Sequence, residues 1–253
     1  PQTINSKTAM IFTETITNPL LEIPDLERIG EVASYYNVPF VVDNTVASPL
    51  NCQPLDYDAD YVIHSTTKYL SGTNDHAGGV VMVKNTREAT ALENFKRCWG
   101  IGISPLESEA LWEYIQDFQE RMERFNTNGT ILAEYLSDNL AVDLVNYPSL
   151  KSHSSYDTAK KLLRGNGGLV SFTLKDKSEN ALKKFYDKEF SSMIKAPSIG
   201  SNQTLICPYT LLTNYFYTDE ELKEINLPRY LIRISAGCET EIDRILKELD
   251  FAL

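Results

Sequence analysis

The chain has 253 residues, of which 42 % are hydrophobic and 23 % are charged, a balance typical of a globular protein that buries a sizeable core. No apolar run approaches the roughly 20 residues that a membrane-spanning helix needs, so we expect no membrane partner. The 24 basic and 35 acidic residues give a net charge of -11. This charge argues against nucleic acid as a partner, because a phosphate backbone needs a basic face.

The cysteines and histidines are too scattered to predict a metal site. Cys52, Cys98, Cys207 and Cys238 form no CxxC pair, and only three histidines occur. We therefore predict reduced thiols, a cytoplasmic location and no bound metal.

The first half of the chain alternates short apolar runs with an amphipathic segment. The pattern predicts a helix over residues 24–36 and strands over residues 9–14, 38–43, 60–64 and 79–83. Continuous apolar strands separated by helical segments are typical of a mainly parallel sheet that is covered on both faces. We therefore predict an α/β fold for this half.

The second half has a different pattern of predicted helices and strands. A long helix is predicted over residues 105–125, with a break near Asn128 and Gly129 before a further helical stretch. Alternating strands and amphipathic helices follow, with strands at 141–147, 168–174 and 230–235 and helices at 155–164, 179–190 and 239–253. This pattern predicts a smaller α+β domain with an antiparallel sheet, so we divide the chain into domains 1–128 and 129–253.

Polar residues follow three of the strands predicted in the first half. Lys68 comes after a strand that ends in hydroxyl residues, among them Ser65 and Thr67, and converging hydroxyls can hold a phosphate. Asp43 ends the preceding strand, and Asn18 follows the first one. Taken alone, each has a plain structural interpretation: a solvated lysine, a turn or N-cap aspartate, and a loop asparagine.

Together these residues match the needs of pyridoxal-phosphate chemistry, since the strand ends meet at one edge of the sheet. A lysine can form a Schiff base, an aspartate can keep the pyridine nitrogen protonated, and hydroxyls can hold the phosphate. Arg233, within an alternating strand, suits an amino-acid carboxylate, although an arginine on the solvent face is the commoner case.

Four segments carry a resemblance to a known family: ETITNP at 14–19, VDNT at 42–45, HSTTKYLSG at 64–72 and IRISAGCE at 232–239. They resemble the cysteine and methionine metabolism family of pyridoxal-phosphate enzymes, which contains cystathionine γ-synthase, cystathionine γ- and β-lyases and methionine γ-lyase. The resemblance implies the type I pyridoxal-phosphate transferase fold, here a partial large domain with a mainly parallel sheet plus a smaller α+β C-terminal domain. It also implies a homo-oligomer, a dimer or tetramer.

The resemblance implies a cofactor-binding role for five residues. Lys68 would hold pyridoxal 5'-phosphate covalently and move protons on the substrate. Asp43 would pair with the pyridinium nitrogen, and Ser65 and Thr67 would bind the phosphate. Asn18 would lie near the phenolic oxygen of the ring and near the substrate carboxylate.

The substrate side of the site is implied in the same way. Ser198 would position Lys68 or the substrate, and Arg233 would bind the α-carboxylate of an amino-acid substrate. The sequence departs from the family pattern here, with Ile16 in place of a proline and Pro197 in place of an acidic residue. These departures place the choice of substrate in question.

The family has a long segment before the motif at residues 14–19, and this chain shows no counterpart of it. The chain therefore resembles the C-terminal part of a longer enzyme. We expect the isolated chain to bind the cofactor weakly or not at all, because that segment supplies the residue that stacks on the ring and a phosphate-binding turn.

The resemblance favours cystathionine γ-synthase chemistry, a γ-replacement that joins an activated homoserine ester to cysteine. A cystathionine γ- or β-lyase is the close alternative. A catalytically incompetent chain that serves as a structural or interaction module is another. A nucleotide-binding oxidoreductase is disfavoured, because no GxGxxG motif follows the early strands.

Overall fold

The computed structural model describes residues 3–253, and its first half is built on a four-stranded sheet. The strands, in spatial order, are β1 (Ile11–Glu14), β2 (Phe40–Asp43), β3 (Tyr61–Ser65) and β4 (Gly79–Val83). The first three are parallel and β4 is antiparallel to β3, which confirms the predicted mainly parallel sheet. The carboxyl ends of the three parallel strands therefore meet at one edge.

Two of the three helices of this half begin at a residue whose side chain caps them. The three helices are α1 (Leu26–Tyr36), α2 (Ser48–Asn51) and α3 (Thr86–Trp99), with a single 3₁₀ turn at Pro54–Tyr57. Helix α1 starts two residues later than predicted, because the Asp25 side chain accepts from Arg28 N at 3.2 Å and so caps it. Helix α3 was not predicted from the sequence, although Asn85 caps its start and Gly100 ends it in the left-handed region.

The second sheet is mostly antiparallel, as predicted. Its strands are β5 (Val142–Asn146), β6 (Leu169–Leu174), β7 (Ile194–Lys195), β8 (Leu205–Cys207) and β9 (Ile232–Ser235). They lie in the order β5-β6-β9-β8-β7, and only β7 and β8 pair in parallel. The short strands β7 and β8 were not predicted, and β6 and β9 are buried along nearly their whole length instead of alternating.

The remaining helices cover this sheet or connect its strands. They are α4 (Pro105–Tyr114), α5 (Phe118–Asp138), α6 (Tyr156–Leu162), α7 (Glu179–Tyr186), α8 (Tyr209–Thr213), α9 (Asp219–Glu224) and α10 (Ile242–Ala252). Helix α7 ends four residues before the predicted end. Within residues 3–253, no helix is long and apolar enough to cross a bilayer.

The predicted helix break near Asn128 and Gly129 is wrong. Helix α5 runs through both residues, and the break lies between Tyr114 and Phe118. A Cβ atom on Gly129 would come within 2.4 Å of the Gly167 carbonyl oxygen, so this glycine permits a close approach of the helix to the chain. The domain boundary drawn at this point stays a prediction.

One hydrophobic core joins the two sheets. It contains Phe40 and Val62 from the first sheet together with Leu132 of α5 and Phe172 of β6. The ring of Phe125 packs edge-on against Tyr69, with 5.1 Å between ring centroids. The turn that follows β3 is therefore anchored to α5 through the core.

Candidate active site

Lys68 lies in a short helical turn, Thr66–Leu70, that follows β3 directly. Its φ of −90° and ψ of −123° depart from helical values. Its Nζ donates to Ser198 Oγ at 2.9 Å, and the Ser198 hydroxyl donates in turn to Asn74 Oδ1. Burial lowers the pKa of the Lys68 amine, and the positive charge of Arg233 lowers it further.

Arg121 of α5 fixes the backbone of the Lys68 turn through hydrogen bonds. Its Nη1 donates to Tyr69 O at 2.9 Å and its Nη2 donates to Leu70 O at 3.0 Å. The same guanidinium donates to Tyr114 O and to Asp117 Oδ1, and so spans the gap between α4 and α5. A buried arginine thus positions the backbone that carries the lysine.

Arg233 of β9 is 2 % exposed, so the solvent-face alternative is wrong. Its Nη1 donates to Asn18 Oδ1 at 3.0 Å, and its Nη2 donates to Ser198 O at 2.9 Å and to Pro197 O. Its Nε is buried without a hydrogen-bond partner among the described residues. The two terminal nitrogens thus make three hydrogen bonds to the protein. One Nη1 N–H and the buried Nε–H make none to the described residues.

Ser198 connects the lysine and the arginine. Its side chain accepts from Lys68, and its carbonyl oxygen accepts from Arg233. Asn18, in the loop after β1, joins the same cluster through Arg233, and its own N–H donates to Glu14 Oε2 at 3.0 Å. The structure therefore brings together four predicted site residues that are up to 215 positions apart in the sequence.

Asp43 ends β2 at the same edge of the sheet. One carboxylate oxygen accepts from Thr45 N at 2.9 Å, and Thr45 Oγ1 accepts from Ser65 N at 2.9 Å. Burial raises the pKa of the neighbouring Glu14 carboxyl, and the charge of Asp43 raises it further. The turn interpretation of Asp43 therefore accounts for one carboxylate oxygen, which caps the turn at Thr45. The second oxygen of Asp43 accepts no hydrogen bond from residues 3–253.

The hydroxyl residues lie beside this carboxylate. Ser65 ends β3, and Thr67 Oγ1 accepts from Gly78 N at 3.2 Å, which leaves its own proton free to donate. Thr66 Oγ1 is buried without a partner among the described residues. The structure thus places hydroxyl donors at the sheet edge, although it shows no contact between them and Lys68 Nζ.

Three residues around the site were not singled out from the sequence. Asn74 accepts from Ser198 and has a φ of 61°, a value that asparagine tolerates better than most residues. Arg121 supports the lysine turn, and the ring of Tyr209 lies 4.8 Å from the Arg233 guanidinium. An asparagine shortly after Gly72 was the only sequence signal among them, since the other two contacts depend on tertiary packing.

Other parts of the described chain offer no comparable chemistry. Residues 3–253 contain no group of three or more potential metal ligands. A cavity of about 400 Å³ lies away from Lys68 beside β5 and β6. Four of its five charged lining residues pair with one another, Lys177 with Asp143 at 2.7 Å and Arg229 with Asp219 at 2.6 Å, and the fifth is Asp176.

The site as a whole suits an amino-acid substrate and a cofactor with an aldehyde, a phosphate and a basic ring nitrogen. The amine of Lys68 has a lowered pKa, Asp43 has a carboxylate oxygen to spare, and Thr67 has a free hydroxyl proton. Buried Arg233 retains one Nη1 N–H without a protein partner, which can donate to a carboxylate. This donor set and a mainly parallel sheet define a pyridoxal-phosphate-dependent class of protein.

Comparison with known proteins agrees with that class. The family profile described as "Cys/Met metabolism PLP-dependent enzyme" matches residues 1–253, and the chain belongs to this family. The predicted resemblance to it is therefore confirmed, and so is a partial type I fold.

Three relatives illustrate the similarity. Cystathionine beta-lyase of Lactococcus lactis subsp. cremoris is 35 % identical over 98 % of this chain and 64 % of the relative. Cystathionine gamma-synthase of Mycobacterium leprae is 34 % identical over 99 % of this chain and 63 % of the relative. The crystal structure of cystathionine gamma-lyase from Lactobacillus plantarum complexed with L-serine gives a TM-score of 0.93 at 29 % identity, covering 99 % of this chain and 65 % of that one. The chain thus spans less than two thirds of the length of these relatives.

Proposed function

We propose that this chain supplies the lysine and the carboxylate-binding arginine of a pyridoxal-phosphate-dependent enzyme that acts on the side chain of a sulfur amino acid. One observation carries the proposal. Ser198 accepts from the Lys68 amine through its hydroxyl and from the Arg233 guanidinium through its carbonyl oxygen. A reactive amine and a carboxylate receptor are thereby held by a single residue, as chemistry at the α-carbon of an amino acid requires.

Four residues of the chain would hold the cofactor. Lys68 would bind its aldehyde, Asp43 would pair with the ring nitrogen, and Ser65 and Thr67 would donate to the phosphate. When bound, pyridoxal phosphate supplies an electron-withdrawing ring that stabilises negative charge on the substrate carbon. The unpaired oxygen of Asp43 and the free hydroxyl proton of Thr67 support this assignment.

Lys68 Nζ is the group that would take the α-proton of the substrate. A base must carry a neutral amine, and the lowered pKa of Lys68 increases the neutral fraction near neutral pH. Ser198 Oγ fixes the direction of the amine at 2.9 Å, and Asn74 Oδ1 fixes the Ser198 hydroxyl by accepting a hydrogen bond from it.

Arg233 and Asn18 would bind the substrate carboxylate. The Asn18 side-chain oxygen accepts from Arg233 Nη1 at 3.0 Å, which fixes the plane of the guanidinium. A buried guanidinium attracts a carboxylate strongly, because little water competes for its N–H groups.

For the reaction itself we propose γ-replacement of the cystathionine γ-synthase type, in which the γ-ester of an activated homoserine leaves and the cysteine thiol adds. A cystathionine lyase is the second candidate, favoured by the 35 % identity with the Lactococcus lactis beta-lyase. The purified full-length protein, supplied with pyridoxal phosphate, is assayed with both sets of substrates. Cystathionine formed from cysteine and an activated homoserine supports the synthase, whereas oxo-acid and ammonia released from cystathionine support the lyase.

The lysine assignment is tested separately from the reaction. The protein is incubated with pyridoxal phosphate and borohydride, digested, and searched by mass spectrometry for a reduced pyridoxyl adduct. We expect the adduct on the peptide that contains Lys68 and none on that peptide in Lys68→Ala. Lys84→Ala, a surface variant at an ion pair with Asp58, is the matched control and should leave the Lys68 adduct unchanged. Labelling spread evenly over surface lysines would instead support a structural or interaction module.

A further inference from the structure

The guanidinium of Arg233 lies beside an aromatic ring with which it forms no hydrogen bond. The Arg233 Cζ atom lies 4.8 Å from the centroid of the Tyr209 ring, within the range of a cation–π contact. Burial raises the pKa of the Tyr209 phenol, and the charge of Arg233 acts in the opposite direction. The ring is thus partly buried against a cation and keeps its proton near neutral pH.

The backbone gives Tyr209 little freedom to move away. Strand β8 ends at Cys207, whose register partner in β9 is Arg233 itself. Pro208 follows and fixes the direction of the chain, so that Tyr209 opens α8 directly beside the guanidinium. Thr210 Oγ1 donates to Pro228 O at 2.7 Å and ties α8 to the segment that leads into β9.

The hydrogen bonds of Arg233 do not cover the faces of its guanidinium plane. Asn18, Pro197 and Ser198 accept in-plane hydrogen bonds from the two terminal nitrogens, but in-plane contacts alone do not cover a face of the guanidinium. A ring beside the guanidinium carbon supplies that contact and keeps water from it.

We propose that Tyr209 is a positioning residue for Arg233, which it holds ready to receive the carboxylate of an amino-acid ligand. The proposal rests on the proposed role of Arg233 as the carboxylate receptor. In this proposal Tyr209 acts only through Arg233, and the Lys68 amine donates to Ser198 and not to Tyr209. Its removal should therefore weaken the recognition of the carboxylate and leave cofactor attachment to Lys68 intact.

The test compares two ligands that differ only in the carboxylate. Norleucine carries no leaving group, and norleucinamide replaces its carboxylate with a neutral amide. Their dissociation constants are measured by calorimetry on the full-length protein loaded with pyridoxal phosphate. We expect Tyr209→Leu to reduce the preference for norleucine by about 5- to 30-fold, the range of a partly desolvated cation–π contact.

Matched variants separate the ring from other effects. Tyr209→Phe keeps the ring and should keep the preference, whereas Arg233→Met should abolish it. Tyr215→Leu removes an exposed aromatic ring from the same segment and should change nothing. A wild-type protein without the preference, or Arg233→Met with it, overturns the carboxylate role of Arg233. Loss of the preference in Arg233→Met, with full retention in Tyr209→Leu, overturns the role of Tyr209 alone.

A spectroscopic measurement covers the case in which Tyr209→Leu fails to fold. The ring current of Tyr209 should move the Arg233 Nε–H resonance upfield in the wild-type protein without any ligand. Tyr209→Phe should keep that shift. An unshifted resonance in the wild-type protein would show that the ring and the guanidinium do not stack, and the proposal would fall.

Discussion

Lys68 and Arg233 are two cations held close together in a partly buried site. Burial and the charge of Arg233 both lower the pKa of the lysine, so the site resists a second positive charge. Ser198 separates the two by accepting from each, through its hydroxyl and its carbonyl oxygen. An anion bound between them would relieve their repulsion, so this pair of cations is complementary to a carboxylate or a phosphate.

His64 provides a prediction of pH dependence at a single residue. It is 1 % exposed, its Nε2 has no partner among the described residues, and burial lowers its pKa to about 4. The unfolded chain binds a proton near the ordinary value of 6.5, whereas the folded chain does not until about 4. Stability is therefore lost as pH falls through this window, by about 2 kcal/mol between about pH 7 and about pH 5.

Urea titrations of the wild type and of His64→Gln at the two pH values check this prediction. The variant should lose less stability on acidification, because its side chain does not titrate. His153→Gln is the control for the loss of a buried imidazole, since both ring nitrogens of His153 contact the backbone. Equal acid sensitivity of the wild type and His64→Gln would contradict the assignment of the effect to His64.

At the scale of elements, Arg121 links α5 to the lysine turn and to the end of α4. Truncation in Arg121→Met leaves the buried carbonyl oxygens of Tyr69 and Leu70 without donors. We expect a loss of about 2–4 kcal/mol in the free energy of unfolding. We also expect faster hydrogen exchange at Gly72 N, which donates to Lys68 O in the same turn.

Arg124→Met is the matched control, one turn further along α5. Arg124 pairs with Glu120 at 2.7 Å on the surface, and its removal should cost less than about 1 kcal/mol. Denaturant titration and exchange measured by mass spectrometry distinguish the two variants. A similar small effect of both substitutions would show that Arg121 does not hold the turn.

Gly129 in the middle of α5 is predicted to resist substitution although alanine favours helices. A Cβ atom there would lie 2.4 Å from Gly167 O and 2.9 Å from the Tyr147 hydroxyl. Gly129→Ala should therefore lower the free energy of unfolding by about 1–3 kcal/mol, despite a gain in helix propensity of about 1 kcal/mol. Gly102→Ala, which meets nothing closer than 3.8 Å, should be nearly neutral in the same thermal and urea titrations. A stabilised Gly129→Ala would contradict the close packing.

Gly129 also shows a feature that could not be predicted from the sequence. A glycine in a helical pattern signals either a break or a close approach, and only the position of the Gly167 carbonyl oxygen decides between them. Helix α3 was missed for a different reason. None of its residues is buried, so its apolar residues do not mark a side that faces the core. The strands β1, β2 and β3 were predictable, since continuous apolar runs need no tertiary information.

The site was predictable to the extent that it follows strand ends. Asp43, Ser65 and the Lys68 turn come directly after apolar strands, so their common edge follows from parallel pairing. The contact of Arg233 with Asn18 joins residues 215 positions apart, and only the family resemblance placed both at one site. Tyr209 carries no motif, so its contact depends on the register of β8 with β9.

At the scale of the molecule, α3 and α4 stand out because neither helix buries a residue. We use the name α3–α4 surface for the exposed large apolar side chains of these two helices and of the residues next to them: Phe95, Trp99, Ile101, Ile103, Leu106, Trp112 and Ile115. Among them, the rings of Phe95 and Trp99 lie 5.6 Å apart. Trp99 and Trp112 are 71 % and 66 % exposed. Clusters of exposed aromatic side chains are typical of interaction sites.

The family resemblance implies a homo-oligomer, and we predict that the α3–α4 surface forms its contact between copies of this chain. Aromatic side chains contribute most to such contacts, so the double variant Trp99→Glu/Trp112→Glu should shift the mass measured by sedimentation velocity towards that of the single chain of 28.6 kDa. Phe216→Glu, at a residue that is 93 % exposed and far along the chain from this surface, is the control and should keep the wild-type mass. Two added charges cost little on a surface exposed to water but are strongly unfavourable in a buried contact. A lower mass of the double variant would therefore indicate that Trp99 and Trp112 are buried between copies of the chain. An unchanged mass in the double variant at equal concentration would place the contact elsewhere, and a monomeric wild type would contradict the homo-oligomer itself.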